Sequence, residues 1–153
     1  MMNVRKIDDN FATAGQLGAV DIAEAVTQGY GTIINNRPDS ELSPEQPTSA
    51  ENRKAAEAAG GAYYYLPMTP DTLSRNLVEA FAKALDNADG PVLAHCASGM
   101  RSLALWVLVQ CAHKGADIDD TLKLATEKGY DLTALRPVIE KHRAANAESD
   151  SAE

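Results

Sequence analysis

Short segments rich in apolar, β-branched and aromatic residues recur along the chain, separated by longer stretches whose apolar residues have helical spacing. Segments of this kind, bounded by turn residues, predict the strands of a sheet. The five predicted strands are Val4 to Ile7, Phe11 to Thr13, Thr32 to Asn35, Tyr63 to Leu66 and Val92 to Ala94. Because most of them alternate with helical stretches, the pattern favours parallel strands joined by helical crossovers.

The helical stretches begin near residues that commonly cap helices, and several end at glycine. They are predicted at Ala19 to Gln28, Ala50 to Ala59, Leu73 to Ala88, Ser102 to His113, from a cap at Asp119 or Asp120 through Thr126, and Ala134 to Ala144. We therefore expect a single α/β domain over residues 1–146, with a central, mostly parallel sheet of four to five strands flanked by helices. Residues 147–153 are predicted to form a disordered acidic tail.

Composition narrows the partners that such a domain can have. A chain of 153 residues that is 44% hydrophobic suits a globular core. Its formal net charge of -8 argues against nucleic acid or an anionic membrane surface as a partner. No apolar run approaches membrane-spanning length, so we expect a cytoplasmic protein. No cofactor and no metal site are expected, because the three histidines are scattered along the chain and none has a cysteine or carboxylate at ligand spacing.

The stretch from Pro91 to Trp106 carries the candidate chemistry. A buried strand ends at Ala94 and a buried helix follows, so the residues between them form a turn. Such a turn directs backbone N–H groups and the positive end of the helix dipole into one hollow, which suits an anion. Cys96 and Arg101 lie at the two ends of the turn, where positive surroundings lower the pKa of a thiol and a guanidinium can bind two oxygens of an oxyanion.

The two cysteines are predicted to have different roles. A lone cysteine on a buried strand is usually an inert hydrophobic residue, but the combination of Cys96 with Gly99, Arg101 and Ser102 favours a functional site. Cys111 lies about 16 Å farther along the predicted helix at a rise of about 1.5 Å per residue. A disulfide needs Cα atoms within about 7 Å, so Cys111 is expected to be a structural thiol of the core.

The loop resembles the nucleophile loop of cysteine-dependent phosphatases through His95, Cys96, Gly99, Arg101 and Ser102. This resemblance implies that Cys96 attacks phosphorus and that Arg101 binds the phosphoryl oxygens. The phosphate-binding segment would be Ala97, Ser98, Gly99, Met100, Arg101 and Ser102. The Ser102 hydroxyl is expected to hydrogen-bond the Cys96 sulfur, and the His95 side chain is expected to order the loop through hydrogen bonds.

Loop length leaves a second resemblance open. Four residues separate Cys96 from Arg101, whereas protein tyrosine phosphatases have five. The shorter loop is also similar to that of rhodanese-type sulfurtransferases, in which the cysteine carries a persulfide.

A wider match favours the phosphatase. Three segments, Ala14 to Leu17, Ile34 to Asp39 and His95 to Ser102, resemble in order and spacing the phosphatase-like domain family named after beta-lactamase hydrolase-like proteins. The resemblance runs from about Val4 to His142, and members of that family share the shortened loop. It implies a fold like that of protein tyrosine phosphatases and dual-specificity phosphatases.

Other candidate residues follow the ends of neighbouring strands, where ligands gather in open α/β sheets. Arg37 and Asp39 either steer an anionic substrate or pair with each other to shape their loop. Gln16 is placed near the site by resemblance, although a solvated turn is an equal alternative. The irregular stretch from Ser40 to Thr48 is interpreted as a connector, with a position beside the pocket as the alternative.

The general acid stays open at this stage. A leaving alkoxide or phenoxide needs a proton, and Asp71 lies 25 residues before Cys96, in the region where the similar dual-specificity phosphatases carry their acid. The competing explanation is that Asp71 is a helix cap or a first-turn residue. Asp39 is the next candidate. It also stays open whether either aspartate acts as the acid.

These observations predict a cysteine-dependent phosphatase that acts on a phosphomonoester such as phosphotyrosine, a phosphoprotein or a small phosphorylated molecule. The first alternative is a rhodanese-like sulfurtransferase with a persulfide on Cys96. The second alternative is a non-catalytic oxyanion-binding module that depends on Arg101.

Overall fold

The structure is a computed structural model that describes residues 2–151. Its strands are β1 (Val4–Asp8), β2 (Phe11–Ala14), β3 (Thr32–Asn35), β4 (Ala62–Tyr65) and β5 (Val92–His95). Its helices are α1 (Ala19–Thr27), α2 (Ser49–Ala58), α3 (Arg75–Asn87), α4 (Met100–Ala112), α5 (Ile118–Glu127) and α6 (Arg136–Ser151), with a 3-10 turn at Thr133–Leu135 before α6.

The strands form one sheet in the order β1-β2-β5-β3-β4. Only the β1–β2 pair is antiparallel, and the other pairs are parallel. Strand register aligns Ala14 and Asn35 with His95, and Tyr65 with Asn35, so four parallel strands end at the same level. The segments that follow these strands therefore lie together at one edge of the sheet, and the predicted α/β fold is confirmed.

Helices cover both faces of the sheet because the central strands are apolar on both sides. On one face Ile33 and Leu93 pack with residues of α1 and α2. On the other face Ile34 and Ala94 pack with residues of α3, α4, α5 and α6. Because these strands are buried on both faces, their apolar residues follow one another directly instead of alternating with exposed polar residues.

Helix α4 is the most deeply buried helix of the described chain, with nine of its thirteen residues buried. Trp106 stacks on Phe11 of β2, with ring centroids 5.5 Å apart. Cys111 is buried and carries a free thiol, as expected for a core residue. This packing fixes the axis of α4 and hence the position of its N-terminus at the sheet edge.

The structure corrects some helix boundaries. The residue that caps α5 is Asp117, whose side chain accepts the backbone N–H of Asp120, so neither Asp119 nor Asp120 is the cap. Helix α3 is capped by Ser74, so the interpretation of Asp71 as a cap is wrong as well.

The last helix extends into the segment that the sequence analysis assigns to the tail. Helix α6 continues to Ser151, and residues 152–153 lie outside the described part of the chain. Alanine and glutamate favour helix here, and Asn146 anchors α6 by donating its side-chain amide to the carbonyl oxygen of Ala112. Within the described residues, no helix is both long enough and apolar enough to cross a membrane.

The burial of α4 predicts its contribution to stability. Leu105 is completely buried, so Leu105→Ala should lower the free energy of unfolding by about 3 kcal/mol through lost transfer energy and a new cavity. Leu42 is 81% exposed, so the matched change Leu42→Ala should cost less than about 0.5 kcal/mol. Urea unfolding followed by circular dichroism measures both, and equal costs would contradict the packing described above.

Candidate active site

The loop between β5 and α4 bends sharply around the side chain of Cys96. Gly99 caps α4 in the left-handed region, with φ of 94°, which glycine adopts without strain. A Cβ atom at Gly99 would lie 2.8 Å from the Tyr130 hydroxyl, so the position also lacks room for a side chain. Gly15 has the same restriction on the opposite side of the loop, because its Cβ would lie 2.9 Å from the carbonyl oxygen of Ala97.

Cys96 lies at the floor of this loop and is completely buried. The backbone N–H of Gly99 donates to its Sγ at 3.1 Å. Burial raises the pKa of the thiol, but the backbone N–H groups of Ser102, Ser98, Gly99 and Arg101 together lower the pKa below its ordinary value. The amides therefore outweigh the cost of burying a charge, and the thiolate of Cys96 forms more readily than that of an ordinary cysteine.

Arg101 extends from the first turn of α4 across the same edge of the sheet. Its Nη1 donates to Glu41 Oε2 and to the carbonyl oxygen of Met68, both at 2.8 Å, and its Nη2 donates to Glu41 Oε1 at 2.7 Å. The bonds to Glu41 raise the pKa of Arg101 further, and the neighbouring Cys96 thiolate adds to that effect. The structure thus brings the sulfur and the guanidinium together, as the loop pattern predicts.

Glu41 is a site residue that sequence reasoning missed. It belongs to the irregular stretch after β3, for which the sequence favours a connector over a position beside the pocket, and its contact with Arg101 supports the second interpretation. Besides Arg101 it also accepts a hydrogen bond from Arg37 Nε at 3.1 Å. Local sequence carries no signal for this contact, because Glu41 and Arg101 lie 60 positions apart along the chain.

Arg37 is held in the same network, and its predicted pairing with Asp39 is wrong. Its side chain is 8% exposed and donates to Glu41 and, through Nη1, to Gln16 Oε1 at 3.0 Å. This bond places Gln16 at the site rather than in a solvated turn. Asp39 instead binds the start of α2, where it accepts the backbone N–H of Ser49 at 2.8 Å and the Ser49 hydroxyl at 2.7 Å.

The Ser102 hydroxyl takes a different partner from the one expected. It donates to Asn36 Oδ1 at 2.8 Å rather than to the Cys96 sulfur, while the backbone N–H of Ser102 acts on the thiol. Asn36 in turn donates its side-chain amide to the carbonyl oxygen of Leu66 at 2.9 Å. The first turn of α4 is thereby tied to the ends of β3 and β4.

His95 does not order the loop through side-chain hydrogen bonds as expected. It is completely buried, and neither ring nitrogen has a hydrogen-bond partner of normal geometry among the described residues. Burial lowers the pKa of His95 to about 4, although the Cys96 backbone opposes part of that shift. The imidazole is therefore neutral at physiological pH, and it adds no positive charge next to the thiolate.

Tyr130 supports the loop from the link between α5 and α6, and the sequence analysis did not find it. Its hydroxyl donates to the carbonyl oxygen of Ser98 at 2.6 Å. Its ring lies under the Arg5 guanidinium, 5.0 Å from the ring centroid. A polar cavity of about 300 Å³ adjoins the loop on this side and is lined by Arg5, Gln16, Ala97, Ser98 and Tyr130, among others.

Asp71 lies in the turn between β4 and α3. The turn follows Met68, whose carbonyl oxygen binds Arg101, so this segment borders the site. The Asp71 side chain is exposed and makes neither a hydrogen bond nor an ion pair with another described residue. Within residues 2–151 no cluster of three histidine, cysteine or acidic side chains could hold a metal ion.

Comparison with known families gives a sequence match to most of the chain. Residues 3–113 match the family described as beta-lactamase hydrolase-like protein, phosphatase-like domain. The beta-lactamase hydrolase-like protein of Agrobacterium fabrum (strain C58 / ATCC 33970) is 34% identical over 144 residues, which is 94% of this chain. The chain spans 33% of the length of that relative.

Solved structures have the same architecture. A candidate phosphatase of Neisseria meningitidis Z2491 superposes with a TM-score of 0.75 at 30% identity, over 90% of this chain and 96% of that one. PTPMT1 has a TM-score of 0.75 at 14% identity, over 99% and 100% of the two chains. A complex of P. aeruginosa TpbA with pTyr has a TM-score of 0.66 at 18% identity, over 95% and 90%. The fold is therefore that of protein tyrosine phosphatases.

The lowered pKa of Cys96 predicts how its alkylation depends on pH. The rate of reaction with iodoacetamide should rise with pH through a midpoint below the pKa of an unperturbed cysteine thiol. The measurement uses Cys111→Ser, so that Cys96 is the only thiol, and peptide mass spectrometry follows its modification. A midpoint at or above the unperturbed value would show that the amides do not compensate for burial.

Proposed function

The chain belongs to the phosphatase-like domain family of beta-lactamase hydrolase-like proteins, and on this premise we propose that it is a cysteine-dependent phosphatase. The observation that carries the proposal is the position of the Cys96 thiol inside a ring of backbone amides, next to Arg101. Such a site combines an activated nucleophile with preorganised donors for the charge of a phosphoryl group.

The proposed reaction has two displacements. The Cys96 thiolate attacks phosphorus, the bond to the leaving oxygen breaks, and a cysteinyl phosphate forms. Water then attacks that intermediate, and inorganic phosphate leaves as the thiolate is restored. Arg101 and the backbone N–H groups from Ala97 to Ser102 hold the phosphoryl oxygens, because phosphoryl transfer is accelerated mainly by positioning and charge stabilisation.

We assign the general acid to Asp71. Glu41 is kept ionised by two arginines, and Asp39 is occupied at the start of α2. Asp71 is exposed beside the segment that binds Arg101, so its carboxyl group remains available to a leaving oxygen. Availability and position are the first requirements for such an acid.

Two exposed apolar side chains suggest the kind of leaving group. Leu42 is 81% exposed and Met100 is 45% exposed, and along the chain they are the neighbours of Glu41 and Arg101, which contact each other. Burial of these side chains against an apolar or aromatic leaving group would stabilise the complex. The substrate we propose is accordingly an aryl phosphomonoester, with phosphotyrosine in a peptide or protein as one candidate.

Both cysteines are free, which agrees with a reducing compartment, and we place the domain in the cytoplasm.

A paired assay tests the proposal. The wild-type chain should release phosphate from an aryl phosphate, and Cys96→Ser should reduce the rate by at least about a thousandfold, because the hydroxyl is a far weaker nucleophile. Cys111→Ser is the matched control and should keep its activity, since that thiol lies in the core.

The same preparations are offered thiosulfate and cyanide to test the sulfurtransferase alternative. No Cys96-dependent thiocyanate is expected. Thiocyanate production that is lost in Cys96→Ser, together with no phosphate release by the wild type, would overturn the phosphatase assignment. Binding of phosphate or sulfate through Arg101 with turnover of neither substrate would instead identify a non-catalytic oxyanion module.

A further inference from the structure

Glu41 joins two arginines at the site, and its carboxylate has three conceivable roles there. It could donate a proton to the leaving group, it could occupy the oxyanion position as an internal inhibitor, or it could hold Arg101 in place. We propose that Glu41 is a positioning residue, which binds the terminal edge of the Arg101 guanidinium and thereby turns the other edge towards Cys96. This inference rests on the proposed phosphatase function.

The choice between an internal inhibitor and a positioning residue depends on which N–H groups of Arg101 are occupied by Glu41. A guanidinium has five N–H donors: two on each terminal nitrogen and one on Nε. Glu41 and the carbonyl oxygen of Met68 take both donors of Nη1 and one donor of Nη2. The Nε donor and the second Nη2 donor share the remaining edge, and this pair matches two oxygens of a phosphoryl group. Glu41 therefore leaves the anion-binding edge of Arg101 uncovered.

The negative charge of Glu41 argues against a role as the proton donor to the leaving group. The hydrogen bond from Arg101 lowers the pKa of Glu41 most strongly, burial opposes it, and Arg37 lowers the pKa again. An acid that protonates a leaving group must hold its proton at the working pH, and a carboxylate bound to two guanidinium groups does not. Glu41 is thus a fixed negative charge.

The position of Glu41 is itself fixed by Arg37. Arg37 donates to Glu41 Oε1 and also to Gln16, and its side chain is almost completely buried. Its backbone N–H donates to Asn35 Oδ1 at 2.9 Å, next to the end of β3. The chain of contacts from β3 through Arg37 and Glu41 to Arg101 transfers the rigidity of the sheet to a long, otherwise flexible side chain.

Preorganisation is the physical benefit. An unrestrained arginine loses several rotamers when it binds an oxyanion, and this loss weakens binding. The hydrogen bonds to Glu41 and to the carbonyl oxygen of Met68 already restrict the rotamers of Arg101. Removing the Glu41 charge should therefore weaken binding of any oxyanion at this site, and it should slow turnover regardless of the leaving group.

The decisive probe is tungstate, an oxyanion that binds without turnover, measured by isothermal titration calorimetry. Glu41→Gln should weaken tungstate binding about tenfold, the effect of losing roughly 1.4 kcal/mol. Glu45→Gln is the matched control, because Glu45 is an exposed glutamate of the same loop, and it should bind as the wild type does. Glu41→Asp keeps the charge on a shorter side chain and should recover part of the affinity.

Kinetics with two aryl phosphates, one with a good and one with a poor leaving group, complete the test. Glu41→Gln should lower kcat/KM for both by a similar factor, whereas the acid variant Asp71→Asn should slow the poor leaving group more. Tighter tungstate binding by Glu41→Gln would overturn the proposal in favour of an internal inhibitor. Unchanged binding with loss confined to the poor leaving group would overturn it in favour of a proton donor.

The binding arm separates this inference from the phosphatase assignment. If the wild type binds tungstate, Glu41→Gln weakens that binding and neither protein releases phosphate, the phosphatase assignment fails while the positioning role stands. If the wild type binds no tungstate, the positioning role fails. Should Glu41→Gln not fold, as judged by circular dichroism, the comparison of Glu41→Asp with Glu45→Gln decides, with weaker binding by Glu41→Asp expected and equal binding contradicting the role.

Discussion

The site depends on a balance between burial and backbone hydrogen bonding at one sulfur atom. Cys96 is completely removed from solvent, and burial by itself would hold the thiol in its neutral, unreactive form. Four backbone N–H groups more than offset the effect of burial and lower the pKa of the thiol below its ordinary value, because the turn into α4 directs them at the sulfur. The side chains of His95 and Ser102 add nothing to this effect, since the first is neutral and the second is directed at Asn36, whereas the Arg101 guanidinium lies beside the sulfur.

The rest of the fold maintains this turn. Apolar packing fixes α4 on the sheet. Gly15 and Gly99 lie where the Cβ atom of any other residue would be too close to neighbouring atoms of the site. Tyr130, in the segment between α5 and α6, donates a hydrogen bond to the carbonyl oxygen of Ser98 in the loop. Asn36 connects the first turn of α4 to the ends of β3 and β4. Parallel strands that end at one level bring these supports together, so the loop geometry is a property of the sheet edge as a whole.

Local sequence predicts the parts of this arrangement that local forces determine. The predicted ends of the strands agree with the observed ends to within about a residue, and the loop is recognisable because an apolar strand, a glycine and a buried helix follow one another directly. Long-range pairing was not predictable in the same way. Nothing along the chain marks Glu41 as a partner of Arg101 or Tyr130 as a support of the loop, and Arg37 binds Glu41 rather than the nearby Asp39. Each error concerns a polar side chain that reaches across the sheet edge, where spacing along the chain says nothing about partners.

The central claim is that Cys96 and Arg101 together form an oxyanion site whose amides activate the sulfur. The most direct test is a crystal structure of the protein grown with orthovanadate. The account predicts vanadium within bonding distance of Cys96 Sγ, with its equatorial oxygens bound by the backbone N–H groups of the loop and by the Nε edge of Arg101. Vanadate bound elsewhere, or a loop whose N–H groups point away from the anion, would contradict it.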